Sequence, residues 1–295
     1  MTFARGAYHF FFGLFSILPV RFIFLMGDGL ISLGFLSVRR MRKIAKESLT
    51  IAFEKEKSEN EIDQLLRSSF FNLFKGALET LCYAQRPKLL LKKLHLTPGS
   101  RENLENALKE NKGVLAISAH FGNFPLMLLY LSKLGYPLHA IIRPSPDKTI
   151  ERSFQLRRSQ MGLKTILSYP RKTCVQQSLK ALRAKEIVMI LMDQHTGSKS
   201  GVLVDFFGRK ARTPTGAVVF AMRTGSPILP VFTLRDGEDS HKIIIEPHFY
   251  LENKSTDGET LQYNVQKITN IIERYIRKYP KEWVWMHQRW KSSRL

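Results

Sequence analysis

Apolar residues along this chain fall into two recurring patterns. Short, nearly continuous apolar runs lie at residues 114–117, 138–142, 187–192 and 228–233, each bounded by glycine, proline or charge. Runs of that length read as buried strands. Between them lie longer stretches with apolar positions three and four apart. Residues 61–84 carry Ile62, Leu65, Leu66, Phe70, Leu73, Phe74, Ala77 and Leu81 on one stripe, and Pro87 stops the pattern. Helical spacing also predicts helices over residues 40–53, 102–109, 148–161, 172–185, 214–224 and 258–278. A helix is predicted to begin near Pro125, with Leu126, Leu129, Tyr130 and Lys133 in phase. Residues 88–96 read as a short helix and a strand, 165–167 and 242–249 as further strands, and 196–213 as a glycine-containing loop with an aromatic turn at 205–208. Strands alternating with helices predict an α/β fold: a mixed, mostly parallel sheet flanked by helices.

The N-terminus departs from this alternation. Residues 7–38 are strongly apolar and aromatic, but Pro19, Arg21 and Asp28 interrupt the run. An Asp near a bilayer centre costs roughly 2.5–3.5 kcal/mol on insertion scales. An interfacial helix, or a tilted and kinked anchor, accommodates these breaks better than an ideal span; two buried hairpin helices of a soluble protein are the alternative. Arg39, Arg40, Arg42 and Lys43 follow at once and suit an anionic membrane surface. With no small-residue cleavage site, the segment is expected to stay on the protein. Residues 1–43 are therefore expected to form an apolar anchor with a basic flank, and 44–295 a single domain.

Charge narrows the partners. Lys+Arg 46 against Asp+Glu 25 gives a formal net charge of +21. That excess points to acidic partners: anionic lipid, an acidic carrier protein or nucleic acid. No zinc-finger spacing or aromatic–basic RNA-binding motif is visible, so nucleic acid is disfavoured. Cys82 and Cys174 give neither a disulfide framework nor a metal set, which suits a reducing, cytosol-facing location.

The candidate chemistry centres on residues 114–125. His120 falls at the carboxyl end of a predicted strand just before a helix, where open α/β sheets place their ligands. There it can act as general base, with nearby backbone N–H groups stabilising an oxyanion; a hydrogen-bonded structural histidine is the alternative. Asp193-Gln194 ends another predicted strand and can open on the same face. Asp193 could orient His120, bind a metal or cap a loop. Neither a nucleophile elbow nor a phosphate- or dinucleotide-binding glycine pattern occurs. Arg143, Arg157, Arg158, Arg209, Arg212 and Arg223 fall near predicted strand ends and loops, where arginine can grip phosphate or be solvated. Trp283, Trp285, His287, Arg289 and Trp290 suit a bilayer interface, a lid or ordinary core packing.

Taken together, these segments resemble the late acyltransferases of lipid A biosynthesis, the lauroyl and myristoyl transferases of the lysophospholipid acyltransferase superfamily. The resemblance runs through Leu49-Thr-Ile-Ala-Phe53, Ser118-Ala-His-Phe-Gly-Asn123, Ile142-Arg-Pro144 and Asp193-Gln194. It continues through residues 201–208, 211–216 and 223–231 to Trp283-Val-Trp-Met-His-Gln-Arg-Trp290. It implies a glycerolphosphate-acyltransferase-like sheet and an enzyme on the cytoplasmic face of the bacterial inner membrane. Such an enzyme moves a fatty acyl chain from an acyl carrier protein or CoA thioester to a hydroxyl of a membrane glycolipid such as a lipid A precursor. No metal or other cofactor is implied. His120 would be the base; Gly122, Asn123, Arg143, Gln194, Gly208, Thr213, Thr215, Arg223 and Arg289 would contact substrate, with Arg143 and Arg223 the first phosphate contacts.

One position departs from the pattern. The family motif has Glu or Asp five residues after the histidine, and here Pro125 stands there. Three readings follow. Asp193 substitutes for the acid from a neighbouring strand; or His120 works with a backbone carbonyl; or the chain binds lipid without transferring acyl groups. A lipid A precursor is the acceptor the family implies, and an aminolipid or lysophospholipid is the alternative.

Overall fold

The computed structural model describes residues 13, 15, 17–197 and 201–291. The apolar N-terminal stretch forms α1 (Val20–Ser37) within them; residues 1–12, 14 and 16 of the expected anchor lie outside the described residues. The inner face of α1, including Ile23, Phe24, Gly27, Ile31 and Phe35, is buried. It packs on α3 (Glu59–Tyr83), which opens with a Ser58/Glu61 capping box. Gly27 permits this approach, since a Cβ there would stand 2.3 Å from a methyl of Leu78. Asp28, which interrupts the apolar run, pairs with Lys75 at 3.4 Å. Ile31 and Phe35 share one hydrophobic cluster with Leu49 and Phe70, so the packing of α1 continues into the domain across residue 43. The outer face leaves Phe22, Leu25, Met26, Leu30, Leu33 and Leu36 exposed. The basic stretch follows as α2 (Arg39–Phe53).

Pro87 begins the short α4 (Pro87–Lys93), which leads into β1 (Leu94–Leu96) and α5 (Ser100–Lys109). The central alternation comes next: β2 (Val114–Ser118), α6 (Phe124–Lys133), β3 (Leu138–Ile142) and α7 (Lys148–Gln160). It continues with β4 (Lys164–Leu167), α8 (Arg171–Arg183) and β5 (Ile187–Leu191). Residues 196–213, expected to be a loop, instead contain an antiparallel hairpin of β6 (Gly201–Phe206) and β7 (Arg209–Pro214). Its cause is period-2 burial, with Val204, Phe206, Ala211 and Thr213 turned inward while Leu203, Asp205, Lys210 and Arg212 between them are more exposed. Then come α9 (Gly216–Thr224), β8 (Ile228–Arg235), β9 (His241–Ile245) and α10 (Asp257–Lys278).

Among the described residues, seven strands form the main sheet in the order β1-β9-β8-β2-β5-β3-β4. All neighbours are parallel except β8 and β9, as the mixed, mostly parallel expectation requires. Central β2 is buried at every position, as a strand covered on both faces must be. Val114 and Ala116 face a cluster with α6; Leu115 and Ile117 face the cluster built from α2, α3 and α10.

A buried ionic network ties α3 to β8 and β9. Glu79, fully buried, accepts two hydrogen bonds from the Arg235 guanidinium, at 2.6 and 3.0 Å, and one from His241 Nε2 at 2.8 Å. Burial alone would raise its carboxyl pKa; the His241 and Arg235 bonds more than offset that and hold it below the usual carboxylate range. Glu79→Ala strands Arg235 in the interior and should lower stability by about 3–5 kcal/mol. Urea unfolding of the purified protein measures this, and a loss under about 1 kcal/mol would mean that water or Glu282 compensates.

Candidate active site

Parallel pairing fixes the site's frame. Ser118 of β2 lies opposite Leu191 of β5, so the residues two beyond each strand, His120 and Asp193, emerge side by side at the carboxyl edge of the sheet. His120 Nδ1 lies 2.9 Å from Asp193 Oδ1. The second carboxylate oxygen accepts a 2.8 Å hydrogen bond from Trp283 Nε1. Asp193 is sealed off, its side chain 2% exposed, whereas the His120 side chain is 26% exposed. The carboxylate fixes the tautomer: Nδ1–H donates to Asp193, which leaves Nε2 as the acceptor for a substrate proton.

The C-terminal segment closes over this pair. Phe121 bridges Trp283 in antiparallel fashion. The Val284 N–H donates to the His120 carbonyl at 3.1 Å, and the Gly122 N–H to the Glu282 carbonyl at 2.8 Å. Gly122 has φ +55°, and a Cβ on it would stand 2.0 Å from the Thr233 carbonyl oxygen. Only glycine fits there. The oxyanion role expected of the nearby amides does not fall to Phe121, Gly122 or Leu126. Their N–H groups already bond Ala119 O, Glu282 O and Asn123 Oδ1.

Electrostatics couples the pair. For His120, burial alone would lower the pKa, but the charge and hydrogen bond of Asp193 more than offset it and raise it above 6.5. For Asp193, burial would raise the pKa; the His120 charge and the bonds from His120 and Trp283 hold it below the usual range. Arg289, almost fully buried nearby, has its own pKa pushed down to about 10 by burial, against the pull of Asp193.

His120 lines a groove of ≈ 510 Å³ on the α6 side of the sheet. Pro125, Leu128 and Leu129 of α6 form one wall, Ala140, Ile142, Met189 and Leu191 of β3 and β5 the base, and Phe154, Arg157 and Arg158 of α7 the other wall. Arg143 stands exposed at the lip. Glu151 accepts from Arg158 at 2.7 Å and from the Ser145 N–H at 2.7 Å, which ties α7 to the segment after β3. The groove is thus apolar within and basic at its rim.

Of the residues expected at the site, the structure brings together His120, Asp193 and Arg143. Gln194 follows Asp193 half-buried, without lining the groove. Asn123 is turned inward: its side chain bonds Gly76 O at 2.9 Å, Glu79 at 3.3 Å and Thr80 Oγ1 at 2.9 Å while capping α6. Thr213 and Arg289 are buried against one another, and Arg289 also donates to the Arg212 carbonyl at 2.7 Å. They join the C-terminal segment to β7. Gly208 forms the exposed tip of the β6–β7 hairpin, and Thr215 leads into α9. Arg223 lies at the opposite edge of the sheet. It ends α9 just before β8, and Ser226 beside it bonds the Lys112 carbonyl ahead of β2. In a parallel sheet, the residues before one strand cannot join those after its neighbour. Sequence reasoning left Trp283 open between a bilayer interface, a lid and core packing; it missed the Trp283–Asp193 bond and the Glu79 network, because indole and carboxylate partners far apart in the chain leave no local pattern.

A sequence profile described as "Bacterial lipid A biosynthesis acyltransferase" matches residues 3–292. The chain belongs to this family. It is accordingly an acyltransferase. It is 25% identical over 257 residues to the lipid A biosynthesis palmitoleoyltransferase of Escherichia coli K12, covering 86% of this chain and 80% of that protein. It is 25% identical to the lauroyltransferase of the same organism over 93% of this chain and 87% of that one. It is 23% identical to a phosphatidylinositol mannoside acyltransferase of Mycolicibacterium smegmatis over 64% and 60% of the two chains.

The coupling has a sign that titration reads. The raised His120 pKa contributes stability fully present below 6.5 and lost as pH rises through the folded value. The lowered Asp193 pKa contributes stability present above the ordinary carboxylate range and lost as pH falls through its folded value. NMR of the His120 ring should give a midpoint above 6.5 in the wild type. In Asp193→Asn burial acts unopposed, and the midpoint should drop below 6.5. An unmoved midpoint would show that the pair is not coupled.

Proposed function

We propose that this protein transfers a fatty acyl chain from an acyl carrier protein or CoA thioester to a hydroxyl of a membrane glycolipid. The observation that carries the reading is the His120–Asp193 pair at the mouth of an apolar groove with a basic rim. The acyl chain lies in the groove, with its thioester carbonyl beside His120. Nε2 of His120 takes the proton of the acceptor hydroxyl as the oxygen attacks that carbonyl. Asp193 stabilises the imidazolium that results. Collapse of the tetrahedral intermediate breaks the carbon–sulfur bond, and His120 returns the proton to the departing thiolate. Arg143 at the lip meets phosphate, whether on the donor's pantetheine arm or on the acceptor.

The relatives named for lipid A and for phosphatidylinositol mannoside share a glycosylated lipid acceptor in their names. A lipid A precursor is the acceptor proposed, on the strength of the profile that matches nearly the whole chain. The exposed apolar face of α1 and the +21 charge support work at an anionic membrane, at the cytoplasmic face of the inner membrane.

Transfer of radiolabelled acyl groups from carrier protein or CoA to a panel of lipid A precursors, phosphatidylinositol mannosides, aminolipids and lysophospholipids tests the reading. Acylated lipid A precursor is expected, and His120→Ala should abolish it. Asp193→Asn should reduce turnover by about 10²–10⁴-fold with folding retained, since the base loses its orienting charge. No transfer to any acceptor would leave a silent lipid-binding protein. Full activity in His120→Ala would reject the mechanism.

A further inference from the structure

The catalytic groove ends against a second cavity. That cavity, ≈ 440 Å³, lies on the other flank of α7, between α7, β4 and the start of α8. The two are walled by different faces of α7: Phe154, Arg157 and Arg158 line the groove, Gln155 and Ser159 the second cavity. Among the described residues, Leu163 alone lines both.

Leu163 is built to hold a fixed position. It is 3% exposed. Its N–H donates to the Arg158 carbonyl at 2.9 Å, which ties it to the last turn of α7. Gly162 ahead of it has φ +83° and sits against the Ser132 carbonyl, so the turn that presents Leu163 is itself constrained. β4 begins one residue later and pairs with β3 from Lys164 onward. The backbone that carries it is thus held on both sides.

Sheet register sets where it stands relative to the reacting carbonyl. Ala140 and Met189 at the base of the groove are paired with each other and level with Ala116, four residues before His120. That is roughly 13 Å down the strand direction from the histidine. An acyl chain entering beside His120 runs down this base between α6 and α7. Beyond Leu163 the walls change character, with Gln155, Ser159, Thr165 and Gln177 beside Leu167 and Pro170.

We infer that Leu163 is the partition that sets the length of acyl chain this enzyme accepts. It stops the methyl end where the apolar groove gives way to the second cavity. The inference rests on the acyl-groove reading proposed above. Shortening Leu163 joins the two spaces and admits a longer chain; enlarging it blocks the groove earlier.

The test is direct binding, with the full chain in a fluorinated surfactant that does not dissolve fatty acids. Saturated fatty acids from octanoate to stearate displace a fluorescent fatty acid from wild type, Leu163→Ala, Leu163→Phe and the volume-conserving Leu163→Met. Leu163→Ala should move the preferred length up by at least one two-carbon step, with a change of about tenfold in the affinity ratio of neighbouring lengths. Leu163→Phe should move it down, and Leu163→Met should leave it in place. If Leu163→Ala folds poorly, Leu163→Phe against Leu163→Met decides. An unchanged length order in variants that melt like wild type overturns the inference, as does wild-type protein from which no fatty acid displaces the probe. Acyl transfer is measured in parallel: a length shift without turnover in the wild type keeps this inference and rejects the proposed reaction instead.

Discussion

A carboxylate sealed inside a protein has to be paired, and Asp193 dictates much of what surrounds it. Left alone it would take up a proton. It stays charged because His120 and Trp283 each supply a hydrogen bond and, when the ring is protonated, His120 adds a positive charge. Each partner imposes a requirement on the fold. His120 must leave β2 level with the end of β5, which parallel pairing of those strands guarantees. Trp283 must return from beyond α10, and the Phe121–Trp283 bridge and the Val284–His120 bond draw it there. The far end of the chain therefore completes a pair that belongs to the middle of the sheet.

The loop that carries His120 is held from behind as firmly as from the front. Asn123 spends its amide on Gly76, Glu79 and Thr80, so the first turn of α6 is pinned to α3. Glu79 in turn is held by Arg235 and His241. His120 thus sits between two buried carboxylates: Asp193 bonds its ring and raises its pKa, and Glu79 helps to anchor its loop through Asn123. On the open side lies a mostly apolar wall with Arg143, Arg157 and the Glu151–Arg158 pair towards its rim.

Much of this was legible in residues alone, and the limits have physical reasons. Strand runs such as 114–117 and 187–192 declared themselves because central strands are buried on both faces. His120 and Asp193 could be named because the chemistry of a strand end depends on local sequence. The β6–β7 hairpin was hidden because the inward residues of β7 alternate with Lys210 and Arg212, which mimic a loop, and β6 is short and opens on Gly201. Asn123, Thr213 and Arg289 were expected to meet substrate because a polar residue near a motif looks the same whether it faces a ligand or the interior. Which way it turns depends on partners such as Gly76 and Arg212, far off in the chain. Arg223 was misjudged because sequence distance from a motif does not say which edge of the sheet a residue occupies.

Pro125 sharpens the point. The family pattern places an acid there, on the first turn of α6, and its replacement by proline raised the prospect of a silent protein. In the folded chain the position is part of the wall of the apolar groove that His120 also lines. A carboxylate at that place would share the space proposed for an acyl chain and lose hydration whenever it was filled. Proline costs α6 no hydrogen bond in its first turn and adds apolar surface instead. The acid's work, orienting Nδ1 and stabilising the imidazolium, needs only a carboxylate within hydrogen-bond reach, and Asp193 has that from the neighbouring strand at 2.9 Å. Loss of the motif acid therefore does not by itself imply loss of the base. What decides is whether the imidazole keeps a buried, charged partner, and in this chain it does.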